Sequence, residues 1–322
     1  MKKHILVIAF VGLLLASCSA ASVSATCDSA QFVDHVIIDV PVQDGTVVMP
    51  GTIFTKTWEI MNDGSCEWTM DYAFVHTNGT PLGAPDVVIS LPNAVASGQV
   101  VDISVPMVAP SVPGTYTSEW MLRNAQGELF GVGPQGDRPL SIEVVVPELP
   151  TGVAYDFNQV VCLAQWHSDR ATFLSCDGLD DEEGLLNGFV RLNADPALEG
   201  SSRDNPAVIE MKPNNQQGGW LAGFFPPITI EDGDHFLATV GCLDGYPDCS
   251  VLFQFDYELA DGTHQTLAEN PQVFDDVPGE LDIDLSSLAG QNVTLVLVVR
   301  ENGGTSREAF GYWENARVEQ TR

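Results

Sequence analysis

Ser250-Val251-Leu252-Phe253-Gln254-Phe255-Asp256-Tyr257-Glu258-Leu259 is the stretch on which the fold turns. Val251, Phe253, Phe255, Tyr257 and Leu259 take alternate positions, and side chains that alternate along an extended chain share one face of a strand. Asp261-Gly262 follows as a turn. The same period returns at residues 292–299, where Val293, Leu295, Leu297 and Val299 point together. Residues 185–192, 207–211, 235–242, 279–285 and 310–318 are further strand candidates. No helix longer than two or three turns is expected, and residues 285–288 hold at most one short turn.

Working toward the N-terminus, Phe54, Lys56, Trp58 and Ile60 share one parity in residues 53–61, and Asn62-Asp63-Gly64 closes that strand. Residues 36–40, 100–105, 115–123 and 141–146 are strand-like as well, with turns at residues 43–46 and 124–127. Short strands separated by regular turn signals indicate β-sandwiches. Pro147-Glu148-Leu149-Pro150-Thr151-Gly152 interrupts the pattern as a short, semi-rigid hinge. The expected fold class is therefore all-β. One sandwich spans residues 27–146, a linker spans 147–153, and a larger sandwich spans 154–322.

The order of motifs in the first sandwich carries a resemblance. Asp44-Gly45-Thr46, Pro50-Gly51, Phe54-Thr55-Lys56-Thr57-Trp58, Asn62-Asp63-Gly64 and Trp68 are followed by Ala109-Pro110, Pro113-Gly114-Thr115-Tyr116, Trp120 and Gly127-Glu128-Leu129-Phe130-Gly131. This resembles the four-tryptophan Ig-like domain of the neighbour-of-breast-cancer-gene autophagy receptor family. Trp58, Trp68 and Trp120 match its first three tryptophans. Val132-Gly133-Pro134 stands where the fourth would be. The resemblance implies an Ig-like β-sandwich and, from the eukaryotic family, a role in protein recognition. Trp58 and Trp120 are expected in the core, where each would bury roughly 150–250 Å². Trp68, beside Cys66, would cover a disulfide or line a surface groove. From about Phe224 onward the chain resembles, more loosely, a jelly-roll module of the carbohydrate-binding or galactose-binding-like kind. Gly233-Asp234-His235-Phe236, the Cys242/Cys249 pair, residues 282–290 and the Trp313 strand carry that likeness.

The chain opens with Met1-Lys2-Lys3-His4, an apolar run over residues 5–15, and then Leu15-Ala16-Ser17-Cys18. The run is shorter than the about 20 apolar residues a stable membrane span needs, and its flanks suit a signal peptide. Small residues followed by cysteine resemble the bacterial lipoprotein signal. That resemblance implies removal of residues 1–17, lipidation of Cys18, a small polar tether over residues 18–26, and attachment to the bilayer on the extracytoplasmic face of the cell membrane. Ordinary secretion, with cleavage near Ser22-Val23-Ser24-Ala25, is the alternative. Six further cysteines suit an oxidising compartment. Domain boundaries favour Cys27–Cys66, Cys162–Cys176 and Cys242–Cys249 among the fifteen connectivities that six cysteines allow.

Charge narrows the partners. Acidic residues number 44 against 13 basic, a net charge of −31, and the excess is spread over both halves. Such a chain repels nucleic acid at long range. Residues 177–184 (Asp-Gly-Leu-Asp-Asp-Glu-Glu-Gly) put carboxylates close together between glycines. Calcium needs six to eight oxygen ligands, so Asp177, Asp180, Asp181 and Glu183 are its candidate ligands, although the spacing is not that of an EF-hand. An acidic solvated loop is the alternative. Glu231-Asp232-Gly233-Asp234 is expected to be a turn.

Trp220, preceded by Asn214, Asn215 and Gln217, could floor an amide-rich site, with Trp166 and Tyr246 as further aromatics. Loop packing over a sandwich edge is the competing reading. His167-Ser168, His235 and His264 lack a nucleophile elbow, and no metal-protease, phosphate-loop or dinucleotide motif occurs. The expectation is an anchored binding or adhesion lipoprotein without catalysis, recognising carbohydrate or a surface partner. A structural lipoprotein acting through its Ig-like domain and a divergent polysaccharide or cell-wall hydrolase are the rivals.

Overall fold

The computed structural model describes residues 26–36, 44–84, 88–201 and 204–320. The export signal, Cys18 and most of the tether lie outside the described residues, as do residues 37–40 of one expected strand. The first domain contains, in chain order, β1 (Ala30–Val36), β2 (Thr46–Val47), β3 (Ile53–Asn62), β4 (Ala73–Gly79), β5 (Val88–Ser90), β6 (Val100–Val108), β7 (Gly114–Arg123), β8 (Leu129–Phe130) and β9 (Leu140–Val146). They form a three-stranded sheet in the order β1-β3-β6 and a second in the order β2-β9-β7-β4-β5, with β8 beside β7. Alternation drives the packing: Phe54, Trp58 and Ile60 of β3 are buried, as are Trp120 and Leu122 of β7. The Phe74 ring lies 5.3 Å from Trp58 and is stacked at 5.4 Å on Trp120, joining the two sheets. Trp68 is also fully buried, 5.7 Å from Phe130, so it fills the core and lines no surface groove. Lys56 shares the inward parity of Trp58. Its ammonium sits 5.7 Å from that ring, and burial lowers its pKa to about 8.

The second domain contains β10 (Val153–Asp156), β11 (Gln165–Ser168), β12 (Thr172–Leu174), β13 (Phe189–Asn193), β14 (Val208–Lys212), β15 (Trp220–Phe224), β16 (Ile228–Thr229), β17 (Asp234–Cys242), β18 (Ser250–Leu259), β19 (His264–Val273), β20 (Gly279–Asp284), β21 (Asn292–Glu301) and β22 (Gly311–Gln320). One sheet runs β13-β14-β22-β17-β20, with β10 beside β22. The larger runs β12-β11-β15-β21-β18-β19, with β16 beside β21. Phe236 of β17 stacks at 3.7 Å on Phe255 of β18, and Phe253 meets Trp313 of β22 at 5.1 Å. These contacts hold the two sheets face to face as a jelly-roll-like sandwich. The fold is all-β, as the alternation predicts.

One local expectation is corrected. Residues 185–187 belong not to a strand but to a short helix, α1 (Glu182–Asn187). Asp181 accepts a hydrogen bond from the Gly184 amide at 2.9 Å and caps its first turn. Gly188, at φ +84°, ends it, so the strand starts only at Phe189. Disulfides join Cys27 to Cys66, Cys162 to Cys176 and Cys242 to Cys249, the pairing that the domain boundaries favour.

Candidate functional site

The alternation of β18 has a second side. Val251, Phe253, Phe255 and Tyr257 point into the sandwich, so Leu252, Gln254, Asp256 and Glu258 point outward. Cross-strand register extends this outer face over four strands. Asp256 pairs with Val296, which pairs with Phe224, which pairs with Gln165. Gln254 is aligned with Val298, Ala222 and His167, and Leu252 with Arg300 and Trp220. Ala222, Val296 and Val298 are buried and form an apolar patch apart from the main core, with half-buried Trp220 and Phe224 packed against it. A cavity of about 490 Å³ opens between this face and the start of β3 in the first domain, bounded by Ile53, Thr55, His167, Phe224, Glu258 and Thr294.

Polar groups surround the apolar floor. The Gln254 amide donates to Glu269 at 2.8 Å, and its carbonyl accepts from the Arg300 guanidinium. That guanidinium also lies 5.8 Å from the centre of the Trp220 ring. His264 Nε2 is 3.0 Å from Asp256 Oδ2, and its Nδ1 is 3.6 Å from Glu258. His167 stands edge-on to Phe224 at 5.5 Å, and burial lowers its pKa from the ordinary histidine value. Asp256 is 5% exposed, and its Oδ1 is buried without a hydrogen-bond partner. Leaving such an atom unpaired costs about 1–3 kcal/mol.

The residues singled out from sequence do not form one site. Trp220 lies on the outer face. Trp166 is buried on the opposite side of the same sheet, where its indole donates to Val161 at 2.8 Å and faces Phe225. Asn214 is buried, donating to Asp169 and accepting from the Gln216 amide. Asn215 accepts from the buried Lys212 ammonium at 3.0 Å, which spends its amide on a structural cation. Gln217 is exposed in the loop before β15. Tyr246 stacks at 3.9 Å on Phe310, beside a different cavity of about 610 Å³ that also borders Asp180, Asp181 and Glu182.

The calcium candidates do not form a ready ligand set among the described residues. Asp181 caps α1, Asp177 accepts from the Ser175 hydroxyl, and no group of three or more His, Cys, Asp or Glu that could hold a metal occurs among the described residues. Asp177, Asp181 and Glu183 line a cavity of about 290 Å³, and Asp180 borders the cavity beside Tyr246. The Glu231–Asp234 segment is a turn, closed by an Asp234 carboxylate bond to the Glu231 amide at 2.8 Å. Ser168 accepts from the Arg170 and Ala171 amides, which places it in a turn beside His167. His235 pairs with Asp282 at 2.7 Å on the other sheet.

Similarity is concentrated in the first domain. Residues 41–146 match the profile of the Ig-like domain from next to BRCA1 gene. The described residues among them form an Ig-like β-sandwich. This Ig-like domain is 34% identical over 107 residues to "Protein NBR1 homolog" of Arabidopsis thaliana, a match covering 33% of this chain and 15% of that protein. It is 38% identical over 97 residues to "Protein JOKA2" of Solanum tuberosum, covering 30% of this chain and 11% of that one. "Protein ILRUN" of Danio rerio is 33% identical over 93 residues, covering 29% of this chain and 32% of that one. The chain thus spans no more than about a third of the length of these relatives.

Among solved structures, a carbohydrate-binding module of the β-sandwich superfamily shares 10% identity over 90% of this chain and 98% of its own, at a TM-score of 0.33. The family 51 carbohydrate-binding module from Clostridium perfringens, in complex with methyl-galactose, shares 15% identity over 51% of this chain and 97% of its own, at a TM-score of 0.30. Likenesses this slight say nothing about what this chain binds.

Proposed function

We propose that this chain is a saccharide-binding protein whose ligand lies along the outer face of the larger sheet, between Trp220 and Phe224. The observation that carries the reading is the composition of that face. A buried apolar floor of Ala222, Val296 and Val298 is flanked by two half-buried aromatic rings. Gln254, Arg300, Asp256 and Glu258 stand around it in register. Sugar rings present apolar C–H faces that pack on aromatic rings, and hydroxyl edges that need donors and acceptors. A pocket of mostly apolar lining with a few placed polar groups suits such a ligand. The adjoining cavity, about 490 Å³, falls within the size range of small-ligand sites.

The reading includes binding without turnover, supported by the lack of a nucleophile-elbow, metal-protease or dinucleotide motif in the sequence. It also includes export and attachment to the outer side of the cell membrane through a lipidated Cys18, supported by the signal-like sequence of residues 1–18 and by six cysteines in three disulfides. Mass spectrometry of the native protein tests the anchor. A diacylated N-terminal Cys18 is expected, and an unmodified N-terminus at any residue overturns it.

The test of binding is a glycan array probed with the full chain and with Trp220→Ala. Binding that falls tenfold or more in the variant, with unchanged melting, is expected. A folded chain that binds no glycan overturns the reading. The similarity of residues 41–146 to the protein relatives supports a second reading, in which the Ig-like domain holds a protein partner. A pull-down that tolerates Trp220→Ala but not changes on the Ig-like surface would favour it.

A further inference from the structure

On the outer face of the larger sheet, Asp256 and Glu258 sit two residues apart on β18, and His264 of β19 is the cross-strand partner of Glu258. The imidazole fills the space between the two carboxylates, with one ring nitrogen 3.0 Å from Asp256 Oδ2 and the other 3.6 Å from Glu258. It leaves Asp256 Oδ1 buried and unpaired. An imidazolium has only two donors, whereas a primary ammonium has three on one small centre. Such an ammonium could reach both oxygens of Asp256 and one of Glu258 at once. The His264 side chain is 39% exposed at the start of an edge strand, so it can swing out and make way.

The surrounding charge has the same sense. Glu269 adds a third carboxylate beside Gln254, while the Arg300 guanidinium is engaged with Gln254 and lies over Trp220, one row beyond Gln254 on the side away from Asp256. The wider chain carries a net charge of −31, which favours the approach of a cation over a uronate or a sulfated sugar.

We propose that the Asp256–Glu258 slot, closed by His264 in the free chain, receives the free amino group of a hexosamine. The ligand is then a saccharide containing unacetylated amino sugar. This rests on the reading of the face as a saccharide site. Trp220 and Phe224 would take the rings, the slot would take the ammonium, and N-acetylation would remove both the charge and two of the donors.

The experiment is calorimetric titration of the full chain, at physiological salt and below the pKa of the amine, with a glucosamine oligomer and with the N-acetylglucosamine oligomer of equal length. A charge-assisted hydrogen bond within a partly buried slot is expected to make the amine form bind about tenfold tighter or more. Asp256→Asn and Glu258→Gln are each expected to abolish most of that preference while weak binding of the acetylated oligomer persists. Asp284→Asn removes the same charge from the other sheet and should leave the preference intact. His264→Ala should keep or strengthen amine binding. Equal or tighter binding of the acetylated oligomer overturns the proposal, and so does a preference that Asp284→Asn reduces as much as Asp256→Asn. If neither oligomer nor any neutral glycan binds, the saccharide reading itself has failed, a result separable from the loss of the amine preference alone.

Discussion

Lys212 gives the fold a pH dependence that can be worked out in advance. Its side chain is fully buried in β14, and its ammonium donates to the Pro213 carbonyl at 2.7 Å, to Asn215 at 3.0 Å and to the Ser306 carbonyl at 2.8 Å. Burial nevertheless outweighs these bonds and lowers its pKa to about 8 from 10.5. In the unfolded chain the group titrates near its ordinary value. Below about 8 both states carry the proton and the cost of burying charge is fully present. Between about 8 and 10.5 the unfolded state binds more protons, so stability rises with pH through that window. At about 1.36 kcal/mol per pKa unit, the gain between pH 7 and about pH 9.5 is roughly 2 kcal/mol.

Urea unfolding of the chain and of Lys212→Met at the two pH values isolates this contribution, because other titrating groups cancel in the difference. At the higher pH the wild type should gain about 2 kcal/mol relative to the variant. A constant gap between the two proteins, or one that moves the other way, would refute the linkage.

Three further outcomes follow from the packing. Opening the Cys27–Cys66 disulfide frees a loop of sequence separation 39, so Cys27→Ser with Cys66→Ser should cost the Ig-like domain about 4 kcal/mol of loop-closure entropy, read by chemical denaturation. Gly223 lies beneath the Trp166 ring, where an added Cβ would come within 2.4 Å of ring carbons. Gly223→Ala should therefore destabilise the second domain by about 1–3 kcal/mol in a thermal melt. Millimolar calcium should leave the melting temperature of the full chain unchanged, because Asp181 caps α1 and no group of three or more side chains that could hold a metal occurs among the described residues. A rise of several degrees would restore the acidic loop as a metal site.

The fold was legible because alternation reports burial directly. Phe253 and Phe255 announce an inward face whether or not the opposing sheet is known, and Phe54, Trp58 and Ile60 do the same in the Ig-like domain. The helix over residues 182–187 was missed because Leu185 and Leu186 suggest a strand. The deciding signals were local: Asp181 as a cap and Gly188 as a stop. Of the ligand-binding candidates singled out from sequence, Trp220 alone lies on the proposed saccharide face. Asn214, Asn215 and Gln217 precede it in sequence, but the chain crosses from one sheet to the other before β15, so nearness along the chain did not become nearness on the face. Gln254, Asp256, Arg300, Phe224 and His264 meet only through cross-strand register, which no single strand reveals. A usable signal was nevertheless present in the opening stretch. Gln254, Asp256 and Glu258 alternate with aromatic core residues, which marks a polar outer side to the strand.

The most direct test of the saccharide face is methyl NMR of the full chain during titration with the tightest glycan from the array. The largest shifts should fall on the methyls of Val296, Val298 and Ala222, against which Trp220 and Phe224 pack. Shifts confined to Leu185 and Leu186 beside Tyr246 and Phe310, or to the Ig-like domain, would contradict that placement.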